Sequence, residues 1–106
     1  MDTKKFYINI IESFQKVITS LVCIKAKSSD NNITKKTEEF LNDLIFQYEN
    51  YQQTRNSNTI FFKYSEKEIV DFCNECYEKS EILIFAEDLE FGFEKLIKLI
   101  LESREQ

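Results

Sequence analysis

Two cysteines three residues apart, Cys73 and Cys76, and two glutamate pairs at the same spacing, Glu75 with Glu78 and Glu87 with Glu90, are the side chains whose types and intervals suit chemistry. A C-x-x-C pair can cycle between dithiol and disulfide, or supply half of a tetrahedral zinc site. A structural zinc takes four Cys or His ligands. This chain has no histidine and only Cys23 besides, so carboxylates or a second subunit would have to complete the shell. A thioredoxin-like pair belongs beside a βαβ pattern, with its reactive thiol activated as at a helix N-terminus. Here Ser65-Glu66-Lys67-Glu68 reads as a capping box, which puts Cys73 well inside a helix. At i and i+3 on the apolar face of that helix, both thiols are expected to behave as small hydrophobes, reduced and inert. No metal and no other cofactor is expected.

The glutamate pairs put acids on helical faces where a divalent cation could be shared. In this they resemble the E-x-x-E and E-x-x-D pairs of all-α nucleotide pyrophosphohydrolases of the MazG type, and the resemblance implies metal-assisted hydrolysis of a nucleotide. It covers those four residues alone; Glu90 stands where the family has Asp, and the interval between the pairs is short. The other reading of the same acids is a solvated face. The chain has no Gly-rich phosphate loop and no recognisable nucleophile with its base, so a protein that binds is expected rather than an enzyme.

The strongest feature for binding is an acidic stripe. Glu68, Asp71, Glu75 and Glu78 are separated by three, four and three residues, so all four project from one side of a helix, away from Ile69, Cys73 and Cys76. In the next helix Glu87, Asp88, Glu90 and Glu94 extend the negative region. They surround Phe91, which with Ile84 falls on a second apolar strip roughly opposite the core face. Acids steer the encounter with a basic protein and an aromatic ring anchors it. Alternatively Phe91 is buried against a neighbouring helix and the acids keep the protein soluble.

Net charge is −5, unevenly spread: residues 1 to 36 hold seven Lys and three acids, whereas residues 37 to 106 hold seven basic and sixteen acidic residues. Phosphate backbones need clustered Lys and Arg, so direct nucleic-acid binding is not expected. The longest clear apolar run, Ile82 to Ala86, is far short of the ~18 residues that span a bilayer, and the N-terminal segment is too interrupted by polar residues for a signal peptide. Three cysteines without a disulfide framework point to a reducing, cytoplasmic compartment.

The elements that position these residues follow from periodicity. One glycine, no proline and ten Phe in 106 residues favour a single all-α domain of helices joined by short polar loops. The spacing predicts helix 1 from Thr3 to about Ala26, capped by Asp2 or Thr3, with Lys25 and Lys27 favourably placed at its C-terminus. Helix 2 is expected from about Thr34 to Gln53, with its acids near the start complementing the dipole, followed by a polar loop from Thr54 to Thr59. Ile60 to Tyr64 reads as a short buried aromatic connector, extended or helical, with a strand pairing to Ile82–Phe85 as the alternative. Helix 3 begins at Glu66, with Tyr64 and Ile69 as a hydrophobic staple, and runs to about Lys79. Helix 4 spans Ser80 to Arg104 with Ser80 as N-cap, and its interior Gly92 marks close approach of a neighbour or a kink.

Together these readings describe a compact four-helix bundle-like domain, residues 1 to 106, acting as a small acidic cytoplasmic binding protein. The expected partner is basic, such as a nuclease toxin that this chain would neutralise as an immunity or antitoxin protein, by occlusion. The alternative is a structural or regulatory helical module that self-associates, as a homodimer, through Ile84 and Phe91.

Overall fold

Apolar residues at intervals of three and four give each long segment one face that must be buried against another. A computed structural model describes residues 1–105, in which α1 (Lys4–Lys27), α2 (Asn31–Thr54), α3 (Glu66–Cys76) and α4 (Leu83–Arg104) form an up-down-up-down bundle, with no strand among the described residues. Around the bundle axis the order is α2, α1, α4, α3. The central helix α1 packs on α2 and α4, α3 packs on α4, and α3 meets α2 only sparsely. Ile10, Phe14, Val17, Leu21 and Ile24 of α1 are fully buried and face Ala86, Leu89, Phe93 and Leu96 of α4 across the core. By length and composition α1 is also apolar enough to cross a membrane. In this fold its apolar face is buried in the core, through Ile10, Phe14, Val17, Leu21 and Ile24.

The helix starts are set by local hydrogen bonding. Thr3, not Asp2, caps α1 by accepting from the Phe6 N–H at 3.4 Å. Helix α2 begins a turn earlier than its periodicity predicts, because the Asp30 carboxylate accepts from the N–H groups of Asn32 and Ile33 and starts the helix at Asn31. Its first turn therefore holds no acid, and Glu38, Glu39 and Asp43 lie too far along the helix to complement the dipole. Arg55, at φ 53°, ends α2, and the polar stretch beyond it folds into a 3-10 turn, Ser57–Thr59, capped by Asn56.

The capping box forms as read. The Ser65 hydroxyl accepts from the Glu68 N–H at 3.1 Å, and the Glu68 carboxylate accepts from the Ser65 N–H at 3.3 Å. Ser65→Ala should lower stability by about 1 kcal/mol, seen as an earlier urea midpoint with an unchanged slope. A midpoint identical to wild type would show that the cap contributes nothing to this helix.

Two expectations about the last helices are corrected. Helix α3 stops at Cys76 rather than Lys79, and α4 starts at Leu83 without Ser80, which stays exposed; Ile82 takes the N-cap position with no side-chain hydrogen bond. Successive turns, Lys79 N–H to Cys76 C=O and Ile82 N–H to Lys79 C=O, carry the chain around so that Ile82 is completely buried. Burying that side chain outweighs a cap, which is worth only about 1 kcal/mol. Gly92 has an ordinary helical backbone, and a Cβ built there would meet only the Val17 side chain, at 3.4 Å. Helices α1 and α4 are thus neighbours at this point, without backbone crowding that demands glycine.

The connector from Ile60 to Tyr64 is neither helix nor strand, and side chains hold its backbone. The Phe61 N–H donates to Gln47 Oε1 at 3.0 Å and the Lys63 N–H to the Asp43 carboxylate at 2.8 Å. Arg104 donates to the carbonyls of Ser57 and Ile60 at 3.0 and 2.7 Å. Next to it the Asp2 carboxylate accepts from the Tyr51 hydroxyl, the Ser57 N–H and the Ser57 hydroxyl, which ties the N-terminus to the end of α2 and, through Ser103, to α4.

Candidate functional site

Glu68, Asp71, Glu75 and Glu78 are all exposed on the outer side of α3 and the turn that follows it, as their spacing requires, but they are not unaccompanied. Asp71, Glu75 and Glu78 line a groove of about 800 Å³ between α3 and the N-terminal half of α2. Across it, on α2, stand Lys35 and Lys36, and Lys79 lines it beside Glu78. Lys36 Nζ lies 2.9 Å from Glu75, Lys67 pairs with Asp71 at 2.9 Å, and Glu68 is engaged by its capping box. Folding therefore turns a run of like charges into a surface of mixed sign. The same packing sets lysines of the basic N-terminal third against acids of the remainder, since Lys25 pairs with Glu38 and Lys36 with Glu75.

The α4 residues divide between two sides. Glu90 turns inward enough for its carboxylate to accept from the Tyr77 hydroxyl at 3.0 Å; burial first, then that hydrogen bond, raises the phenol above its ordinary range. Phe91 instead stands 74 % exposed beside a groove of about 480 Å³ between α1 and α4, with Asp88, Gly92 and Lys95 on its own helix and Glu12, Lys16 and Thr19 opposite. One turn before Asp88, Ile84 is 63 % exposed on the same ridge. Glu87, Asp88 and Glu94 are exposed and take part in no ion pair among the described residues. The burial of Phe91 against a neighbouring helix, one of the two readings of the sequence, does not occur.

The acids of α3 and the ring of α4 thus do not share one face. With the helices in the order α2, α1, α4, α3, the α2/α3 groove and the α1/α4 groove lie on opposite sides of the bundle and share no lining residue. The two glutamate pairs are likewise kept apart, Glu75 against Lys36 and Glu90 against Tyr77. Among the described residues no three His, Cys, Asp or Glu side chains converge as a metal site would require.

Cys73 and Cys76 are fully buried in α3. Burial pushes the Cys73 thiol up to about 12 and the Cys76 thiol up to about 11, with nearby negative charge adding to the effect. Neither forms appreciable thiolate at neutral pH, and the thiolate is the reactive and metal-binding species.

Two exposed aromatics, Phe46 on α2 and Phe61 on the connector, were missed from the sequence. Phe61, taken there as part of a buried connector, is 72 % exposed, while its neighbours Ile60 and Phe62 pack inward. The signal was available: in an extended segment successive side chains point to opposite faces, so Ile60 and Phe62 cannot both turn inward unless Phe61 turns out.

Fold and surface define an all-α four-helix module with an exposed apolar ridge on α4, Ile84 and Phe91, flanked by carboxylates that join no ion pair among the described residues. Compared with protein-family models, curated proteins and solved structures, the chain finds no match.

Proposed function

We propose that this chain is a small binding protein that neutralises a basic protein partner by occlusion, in the manner of an immunity or antitoxin protein acting on a nuclease toxin, and that it performs no chemistry itself. The observation that carries this reading is Phe91, 74 % exposed beside the α1/α4 groove with Glu87, Asp88 and Glu94 around it; Lys16 and Lys95 also line the groove, but none of the three acids joins an ion pair among the described residues. Large apolar side chains left exposed in a cluster mark interaction surfaces, and Ile84 extends the ridge. Carboxylates around such an anchor favour a partner rich in Lys and Arg, both by steering its approach and by penalising acidic competitors. A nuclease cleft that holds phosphates has that charge. The acids of α3 contribute through the field of the whole molecule rather than through contact with the same patch.

The test is a pull-down against the product of the neighbouring gene, followed by association and dissociation rates at two salt concentrations. Phe91→Ala should act on dissociation and weaken binding by about 2 kcal/mol, roughly thirtyfold, if the ring fills a pocket. Glu87→Lys with Glu94→Lys should slow association and flatten its salt dependence, since exposed charges are screened over about 10 Å at 0.1 M ionic strength. Glu75→Lys with Glu78→Lys is the comparison. If that pair slows association more than the α4 pair does, the partner uses the α2/α3 groove. An acidic partner, or affinity indifferent to both charge reversals and to Phe91→Ala, would sink the reading.

A further inference from the structure

A second apolar patch lies away from the Phe91 ridge. Phe61 and Leu101, 72 % and 52 % exposed, border a groove of about 340 Å³ between the connector and the C-terminal half of α4. Phe62, Tyr64 and Ile97 also line it, and the charged residues on it are Glu66 and Arg104. We propose that this face joins two copies of the chain about a two-fold axis, the Phe61 ring of each copy entering the groove of the other.

Three features favour a second copy over a foreign partner. A knob, Phe61, and a hole, the groove beside it, occur in one patch, and an isologous contact requires a patch complementary to itself. Its charges are self-complementary as well. Arg104 and Glu66 sit on the same groove, and neither joins an ion pair among the described residues, so a two-fold rotation can bring the arginine of one copy to the glutamate of the other. A purely basic or purely acidic partner would satisfy one and repel the other. Finally, the lip of the groove is already fixed. The Phe61 N–H is held by Gln47, the Ile60 carbonyl by Arg104, and the Arg104 guanidinium carbon stands 6.0 Å from the Phe61 ring centroid, so association has little backbone left to order. Pairing here leaves Ile84 and Phe91 free, because they sit on the α1/α4 side.

Light scattering after size exclusion and sedimentation equilibrium, on the full chain in reducing buffer from about 1 μM to 1 mM, test the contact. The reductant removes any disulfide made through the half-exposed Cys23. The expected mass is twice 12.7 kDa at the upper end of that range. Phe61→Asp and, independently, Leu101→Asp should each raise the dissociation constant by at least about tenfold with an unchanged circular-dichroism spectrum. Phe91→Asp should leave it alone. Glu66→Lys should weaken the dimer by setting like charges against each other. A single-chain mass throughout the range overturns the proposal, as does a dimer indifferent to Phe61→Asp and Leu101→Asp. A dimer broken by Phe91→Asp instead would move the contact to the α4 ridge. Should Phe61→Asp fail to fold, Leu101→Asp decides.

Discussion

Phe14→Ala is expected to remove about 3–5 kcal/mol of stability. Phe14 is completely buried in α1, and its ring centroid lies 5.6 Å from Tyr48, 6.3 Å from Tyr51 and 6.0 Å from Phe62. Phe62 in turn contacts Phe93 of α4 at 5.4 Å. The ring is thus where α1, α2 and the connector meet, and rigid aromatics on several elements cannot collapse together into the space it leaves. Because domains of this size are stable by only about 5–15 kcal/mol, the variant should lose a large share of its stability and unfold at a clearly lower urea concentration. Phe91→Ala is the control, and should change stability by no more than about 0.5 kcal/mol because that ring is already in water. A Phe14→Ala loss under 1 kcal/mol would mean that the aromatic cluster repacks, contrary to the close packing described.

Asp2→Ala should cost about 3 kcal/mol at neutral pH, and the loss should fade in acid. Substitution removes a carboxylate that accepts from Tyr51, from the Ser57 N–H and from the Ser57 hydroxyl, and it strands the hydroxyl of Tyr51, a residue with no exposed surface. Burial alone would raise the Asp2 carboxyl, but the hydrogen bonds from Tyr51, Ser103 and Ser57 together outweigh it and hold the group below its ordinary 3.8. A carboxyl lowered by folding stabilises the native state fully above its unfolded value, and the stabilisation disappears as pH falls through the lower folded value. The gap between wild type and Asp2→Ala should therefore be constant from pH 7 to about 5 and shrink below 3.8. Urea titrations at pH 7, 5 and 3 measure it. A gap that widens toward acid would show that the carboxyl is raised by burial instead.

Much of the architecture was legible in the residue order, because it depends on interactions within a turn or two of chain. Periodicity marked four amphipathic helices, and the Ser65–Glu68 capping box located the start of α3 to the residue. The starts of α2 and α4 were misread for two different reasons. Asp30 lay inside a polar run where several residues could cap, whereas Ile82 acts through burial against the rest of the bundle, which no local pattern records. The network of Asp2, Tyr51, Ser57, Ser103 and Arg104 was invisible for the same reason, since its hydrogen bonds join residues 46 to 55 positions apart in the chain.

The sequence by itself determined which residues share a face of one helix: Glu68, Asp71 and Glu75 on one side of α3, Ile84 and Phe91 on one ridge of α4, Cys73 and Cys76 toward the core. Helical geometry repeats every 3.6 residues, so relations within an element are written in the spacing alone. Only the tertiary structure decided how those faces meet. It set Lys35 and Lys36 against the acids of α3, placed the ridge of α4 on the opposite side of the bundle, and turned Phe61 out to the surface. These relations depend on the rotation and order of helices around a common core, which are fixed by packing between residues distant in the chain and leave no period in the sequence to read.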